Sequence, residues 1–159
     1  MIITLLNQQT KHQLQHIKIQ NLSEWLGEQL EPRTSESWNE VCVVLTDNEG
    51  IIPANLEYFG KNKPTDVISF RYDPIPGEEA GFTGDLIINI DRALQIGPEQ
   101  KGADYELALY IAHGFDHLSG AEDDTPEKKK FMLETETAWL STYVEHRSIQ
   151  GMIQQQPTE

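Results

Sequence analysis

The sequence predicts an α/β protein of the α+β kind, a single compact domain in which helices pack on a small mixed β-sheet. Three observations carry this expectation. The 159 residues suit one ordinary domain able to bury a core. In the first two-thirds of the chain, β-rich stretches lie beside segments of helical periodicity. From about Asp104 onward the pattern is helical.

The elements follow in order. Ile17 to Leu30 places Ile19, Leu22, Trp25, Leu26 and Leu30 at the spacing of an amphipathic helix. EVCVVLTD (Glu40–Asp47) reads as a strand, and the DNEG after it as a turn, with Pro53 opening a short helix through Phe59. Thr65–Tyr72 is a second strand, with Val67, Ser69 and Arg71 on one face and Ile68, Phe70 and Tyr72 on the other. The loop DPIPGEEAGFTG leads to a third strand, Gly84–Asp91, after which Asp91 is expected to cap a short helix over Arg92–Ile96. Leu107, Tyr110, Ile111, Gly114, Phe115 and Leu118 form the buried stripe of a long helix that Gly120 ends. Asp124, followed by Pro126 and Glu127, resembles the capping box of a last helix reaching about Glu145, with Phe131, Leu133, Trp139 and Leu140 buried. The domain is expected to span residues 1–148, with 149–159 a disordered polar tail.

Composition narrows the class. A net charge of −14 with 12 basic residues disfavours nucleic-acid binding over a broad surface, so any RNA contact needs a local basic patch. The single cysteine, Cys42, excludes an internal disulfide and Cys-based zinc motifs, and its place in a strand points to core packing. No apolar run approaches bilayer length and the first residues do not read as a signal peptide, so a cytoplasmic protein with no membrane partner is expected.

The chemistry concentrates in AHGFDHLSGAEDD (Ala112–Asp124). Residues four apart on a helix are separated by about 40° around the axis and about 6 Å along it, so His113 and His117 can reach one tetrahedral ion. Asp116 points elsewhere, and Glu106 lies roughly 10 Å back along the axis. A chain that turns at Gly120 can return a third ligand from Ala121–Asp124. Asp123 gives the spacing H-x-x-x-H-x-x-G-x-x-D, which some zinc peptidases of the metzincin type share. Those peptidases carry a glutamate after the first histidine as general base, and Gly114 stands there instead. Asp124 reads better as a helix cap and Glu122 as a solvated acid, while Asp123 reads either as a ligand or as an ordinary loop acid. His146 reaches the site only if the last helix folds back.

HGFDHLSGAED, preceded by ELALYIAHG, resembles the H-G-x-L-H-L-x-G-Y-D-H segment of the YbeY family, bacterial metal-dependent endoribonucleases of ribosomal-RNA maturation. NLEYFGKNKPTDVISF resembles that family's LN-x-x-YRGKD-x-PTDVLSF, and GDLIINIDRA its GDI-x-I-x-x-x-x-A strand, the similarity running from about Val41 to Leu140. The resemblance implies a compact α/β domain, one zinc ion near an RNA groove, and ribosomal RNA and the ribosome, not DNA, as partners. His113 and His117 match the first two zinc ligands, and Asp123 stands where the family has a third histidine. Phe59 replaces an arginine regarded as catalytically important, with Lys61, Lys63 or Arg71 as substitute cations, and Ser69 and Asp85 match family positions near the site. A carboxylate in place of imidazole lowers the site's charge by one unit and weakens the ion as a Lewis acid. Two histidines and a carboxylate also suit Fe(II), Mn or Ni. A non-catalytic factor binding the ribosome, and a zinc hydrolase of another ester or amide, are the competing readings.

Overall fold

A computed structural model describes residues 1–77 and 81–154. Its sheet has the order β1-β3-β5-β4, built from β1 (Ile2–Asn7), β3 (Trp38–Thr46), β5 (Phe82–Asn89) and β4 (Val67–Tyr72). β1, β3 and β5 run parallel and β4 is antiparallel, so the sheet is mixed as expected. Strand β1 was not anticipated. It is short, lies at the sheet edge, and alternates too weakly for its register with β3 to show in its own residues.

Helices α1 (His16–Leu30), α4 (Ala103–Leu118) and α5 (Pro126–Val144) make the other layer, with α3 (Ile90–Ile96) beside α4. Helix α1 buries Ile19, Leu22, Leu26 and Leu30, the expected stripe. Helix α4 buries all six residues of its predicted stripe against β5 and its neighbours. The approach is close: a Cβ on Gly114 would lie 2.8 Å from Leu86 Cδ2, and one on Gly84 would lie 3.0 Å from Leu118 Cδ2. Glycine at both positions lets helix and sheet backbones come together.

Several expected boundaries move for local reasons. Helix α2 (Asn48–Phe59) starts five residues before Pro53, because the Asp47 carboxylate accepts from the Gly50 N–H and turns DNEG into the first helical turn. Asn89, not Asp91, caps α3 by accepting from Arg92 N–H. Asp91 instead accepts from Lys11, His12 and the Asn48 N–H, tying three segments together. Thr125 caps α5, since Pro126 takes the first helical position, while Asp124 pairs with Lys128.

On α5 the buried face is Met132, Glu136, Leu140 and Tyr143. Phe131 and Leu133 flank that face and are exposed, contrary to expectation, and Trp139 is half-buried. The tail also differs. Ile149, Met152 and Ile153 are buried, and β6 (Ile153–Gln154) pairs antiparallel with β2 (Gln13–Leu14). Asp104, near the start of α4, accepts from the N–H groups of Gly151 and Ile153 at 2.7 and 2.9 Å. The packed unit therefore runs through residue 154, and the rest of the expected tail lies outside the described residues. Among the described residues no helix is long and apolar enough to cross a membrane.

Candidate metal centre

The last two turns of α4 carry His113 and His117 on one face, and their Nε2 atoms stand 3.0 Å apart. Gly120 leaves the helix at φ 98°, a left-handed conformation that suits glycine, and the chain doubles back. This return brings Asp123 Oδ2 to 3.6 Å from His117 Nε2 and 3.8 Å from His113 Nε2. One donor atom from each of the three residues lies within 4.8 Å of the others. Tetrahedral zinc with bonds of about 2.0–2.1 Å separates its donors by roughly 3.3–3.4 Å, so only small adjustments would seat an ion.

The hydrogen bonds behind the imidazoles decide their tautomers. His113 Nδ1 donates to Glu136, whose carboxylate oxygens lie at 3.0 and 3.1 Å. His117 Nδ1 donates to the Ala121 carbonyl at 3.0 Å. With each Nδ1 carrying the proton of a neutral ring, both Nε2 lone pairs converge on one point. At 3.0 Å the two Nε2 atoms are close enough to share a proton or a cation.

The surroundings also favour a cation. The histidines and Asp123 open onto a cavity of about 410 Å³, lined in addition by Asp66, Glu106, Glu136 and Lys129. Burial opposes charge on His113, yet the hydrogen bond and charge of Glu136, with Asp66 and Asp123 beyond, raise its pKa above 6.5. Burial pushes the Glu136 carboxyl up as well, against the pull of His113. Glu106 is raised by burial and by Asp66. A divalent ion would relieve this crowding of carboxylates.

The other expected site residues do not join the cluster. Gly84 and Leu86 face α4, so alternation turns Asp85 to the opposite side of the sheet, where its carboxylate accepts from Tyr72 Oη at 3.0 Å. Ser69 pairs with Leu86 on the α4 side, with its Oγ buried and without a hydrogen-bond partner among the described residues, but it does not line the cavity. Lys61 and Lys63 are exposed on the loop before Asp66, held to α2 by the Asn55 side chain donating to the Lys63 carbonyl at 2.7 Å. Arg71 pairs with Glu36 and stacks on Phe82, away from the cavity. Phe59, at the end of α2, is exposed. Glu136, Asp66 and Lys129 were missed as site residues. Glu136 did have a signal, a lone carboxylate in the apolar i, i+4, i+8 series Met132, Glu136, Leu140.

The family described as Endoribonuclease YbeY matches residues 4–144. The chain is 34% identical over 158 residues to "Endoribonuclease YbeY" of Enterococcus faecalis, covering 90% of this chain and 98% of that one. It is 36% identical over 125 residues to the protein of the same name from Lysinibacillus sphaericus, covering 73% and 76% of the two. The solution structure of a Thermotoga maritima protein shares the fold, with a TM-score of 0.55 at 23% identity, over 94% of this chain and 99% of that one.

Proposed function

This chain belongs to the Endoribonuclease YbeY family of hydrolytic nucleases, and we propose that it is a metal-dependent endoribonuclease acting on ribosomal RNA in the cytoplasm. The observation that carries the metal dependence is the convergence of His113 Nε2, His117 Nε2 and an Asp123 oxygen within 4.8 Å. Zinc suits two imidazoles and one carboxylate, with a fourth position left for water or substrate. An ion held there supplies Lewis acidity toward a phosphodiester.

The chain's own residues do the rest. Glu136 and the Ala121 carbonyl hold the two imidazoles in the ligand tautomer. Lys129 is a cation lining the cavity and can hold a phosphate as a point charge. Lys61 and Lys63, exposed on the loop that leads to Asp66, offer further phosphate contacts along the strand of RNA. These local cations work against the overall charge of −14.

The test starts with elemental analysis of purified wild type, His113→Ala and Asp123→Ala. We expect about one divalent ion per wild-type chain, absent or weakly held in both variants. Structured ribosomal RNA should then be cut by wild type, and a chelator should stop the reaction. A metal-free wild type whose RNA cleavage ignores chelators defeats the reading. Phe59 in place of arginine favours a second reading, a family member that binds the ribosome without cutting. Cleavage that appears only in the Phe59→Arg/Asp123→His double variant decides for it.

A further inference from the structure

Behind the two histidines a line of charge crosses three helical elements, buried at Asp116 and Glu136 and reaching the surface at Arg33. Asp116 projects from α4 about 60° around the axis from His113 and is fully buried. One of its oxygens accepts from Arg33, and the other is buried with no hydrogen-bond partner among the described residues. Arg33 ends the short 3₁₀ turn Glu31–Arg33 after α1, with its guanidinium 5.1 Å from the Trp139 ring centroid on α5. Glu136, three residues before Trp139, is nearly fully buried and faces His113 on one side and Asp116 on the other. The motif this chain resembles has leucine at the place of Asp116, so the charge is a feature of this sequence.

We propose that Arg33 and Asp116 are positioning residues for the metal centre, acting through Glu136 on His113. The proposal rests on the metal-centre reading above. Two carboxylates packed side by side, both almost fully buried, repel more than they would in water. Arg33 neutralises Asp116, so Glu136 can lean on Asp116 and keep both oxygens toward His113 Nδ1. The flat guanidinium is itself held between the Trp139 ring and the Asp116 carboxylate. Removing the arginine leaves an unpaired carboxylate beside Glu136. Glu136 is then driven from His113, the ring loses the partner that aims its Nε2, and the ligand set loosens. Removing Asp116 as well takes the repulsion away, and Glu136 settles back.

The experiment is competition of zinc between the full chain and a chromophoric chelator. It compares wild type, Arg33→Met, Arg33→Lys, Asp116→Leu and the double variant Arg33→Met/Asp116→Leu, with metal-free melting curves alongside. We expect Arg33→Met to weaken zinc binding about tenfold, in the range for partners behind a metal ligand. Arg33→Lys keeps the charge and should keep most of the affinity, and the double variant should recover most of what Arg33→Met loses. A merely structural arginine lowers the metal-free melting temperature of single and double variants alike and gives no recovery of affinity. Undiminished zinc binding in Arg33→Met, or no recovery in the double variant, overturns the proposal. Should Arg33→Met fail to fold, Arg33→Lys and the double variant decide: affinity lost in both overturns it. A wild type that takes up no zinc removes the metal centre and this proposal together, whereas zinc binding insensitive to Arg33 removes this proposal alone.

Discussion

Both carboxylate oxygens of Glu136 lie within 3.1 Å of Nδ1 of His113, across 23 residues of sequence and between two packed helices. The histidine on α4 is thereby aimed by a residue of α5. Glu136→Ala should weaken zinc binding about 10–100-fold. Glu136→Gln should sit between, because its amide oxygen still accepts the Nδ1–H. Isothermal titration of metal-free protein reads this directly. Equal affinity in all three proteins would show that His113 needs no partner.

Gly114 is a packing requirement. A methyl there meets both Leu86 Cδ atoms at 2.8 and 2.9 Å, inside the core. Gly114→Ala should cost about 1–3 kcal/mol of stability, the range for an overpacked interior. Urea unfolding checks it. Gly114→Glu, which restores the glutamate of zinc peptidases, should give poorly folded protein and no peptidase.

Asp91 sets an acid limit. Burial opposes its charge, but the Asn48 N–H, His12 and Lys11 together hold its pKa below 3.8. A carboxylate with a lowered folded pKa contributes stability that is fully present above 3.8 and is lost as pH falls through the folded value. Asp91→Asn should therefore be less stable than wild type by about 1–3 kcal/mol at pH 7. The gap should close as urea melts are taken to pH 3 and below. A gap that persists in acid assigns the effect to shape instead of charge.

The segment after the last helix is part of the core. Met152 is fully buried, so Met152→Ala should destabilise by about 2–5 kcal/mol. Removal of everything after Ser148 should cost more, since the Asp104 carboxylate also loses the two amides it accepts from. Thermal melting of the two variants tests both statements.

How much of this could be read beforehand depends on how local each signal is. The α4 stripe, the histidine pair and the Gly120 stop are encoded within one helix and one turn, and all stand in the structure. Asp123 needs only that turn to approach the histidines. Glu136 does not show as a partner of His113 because nothing within α5 specifies which face meets α4. Phe131 and Leu133 show the same gap, for their apolar character suggests burial that the helix orientation denies. Asp85 was recoverable: the glycine beside it and the leucine after it mark the helix side of the strand, and alternation sends the aspartate away. Met152 is buried beside Ile153–Gln154, which pair with Gln13–Leu14 some 140 residues earlier, and such short segments carry no trace of their partner.

The turn at Gly120 divides the ligand set into parts of different stiffness. His113 and His117 ride on a helix pressed against the sheet, and their side chains are 27% and 28% exposed. Asp123 sits on the returning loop at 45% exposure. Two donors are thus set by the core, while the third, more exposed, is held by the loop alone. Ions that differ in radius or preferred coordination would be accommodated mainly by residues 122–124, since Ala121 stays bonded to His117. Retuning which metal the protein prefers is therefore a problem in loop design, and the helix can be left as it is.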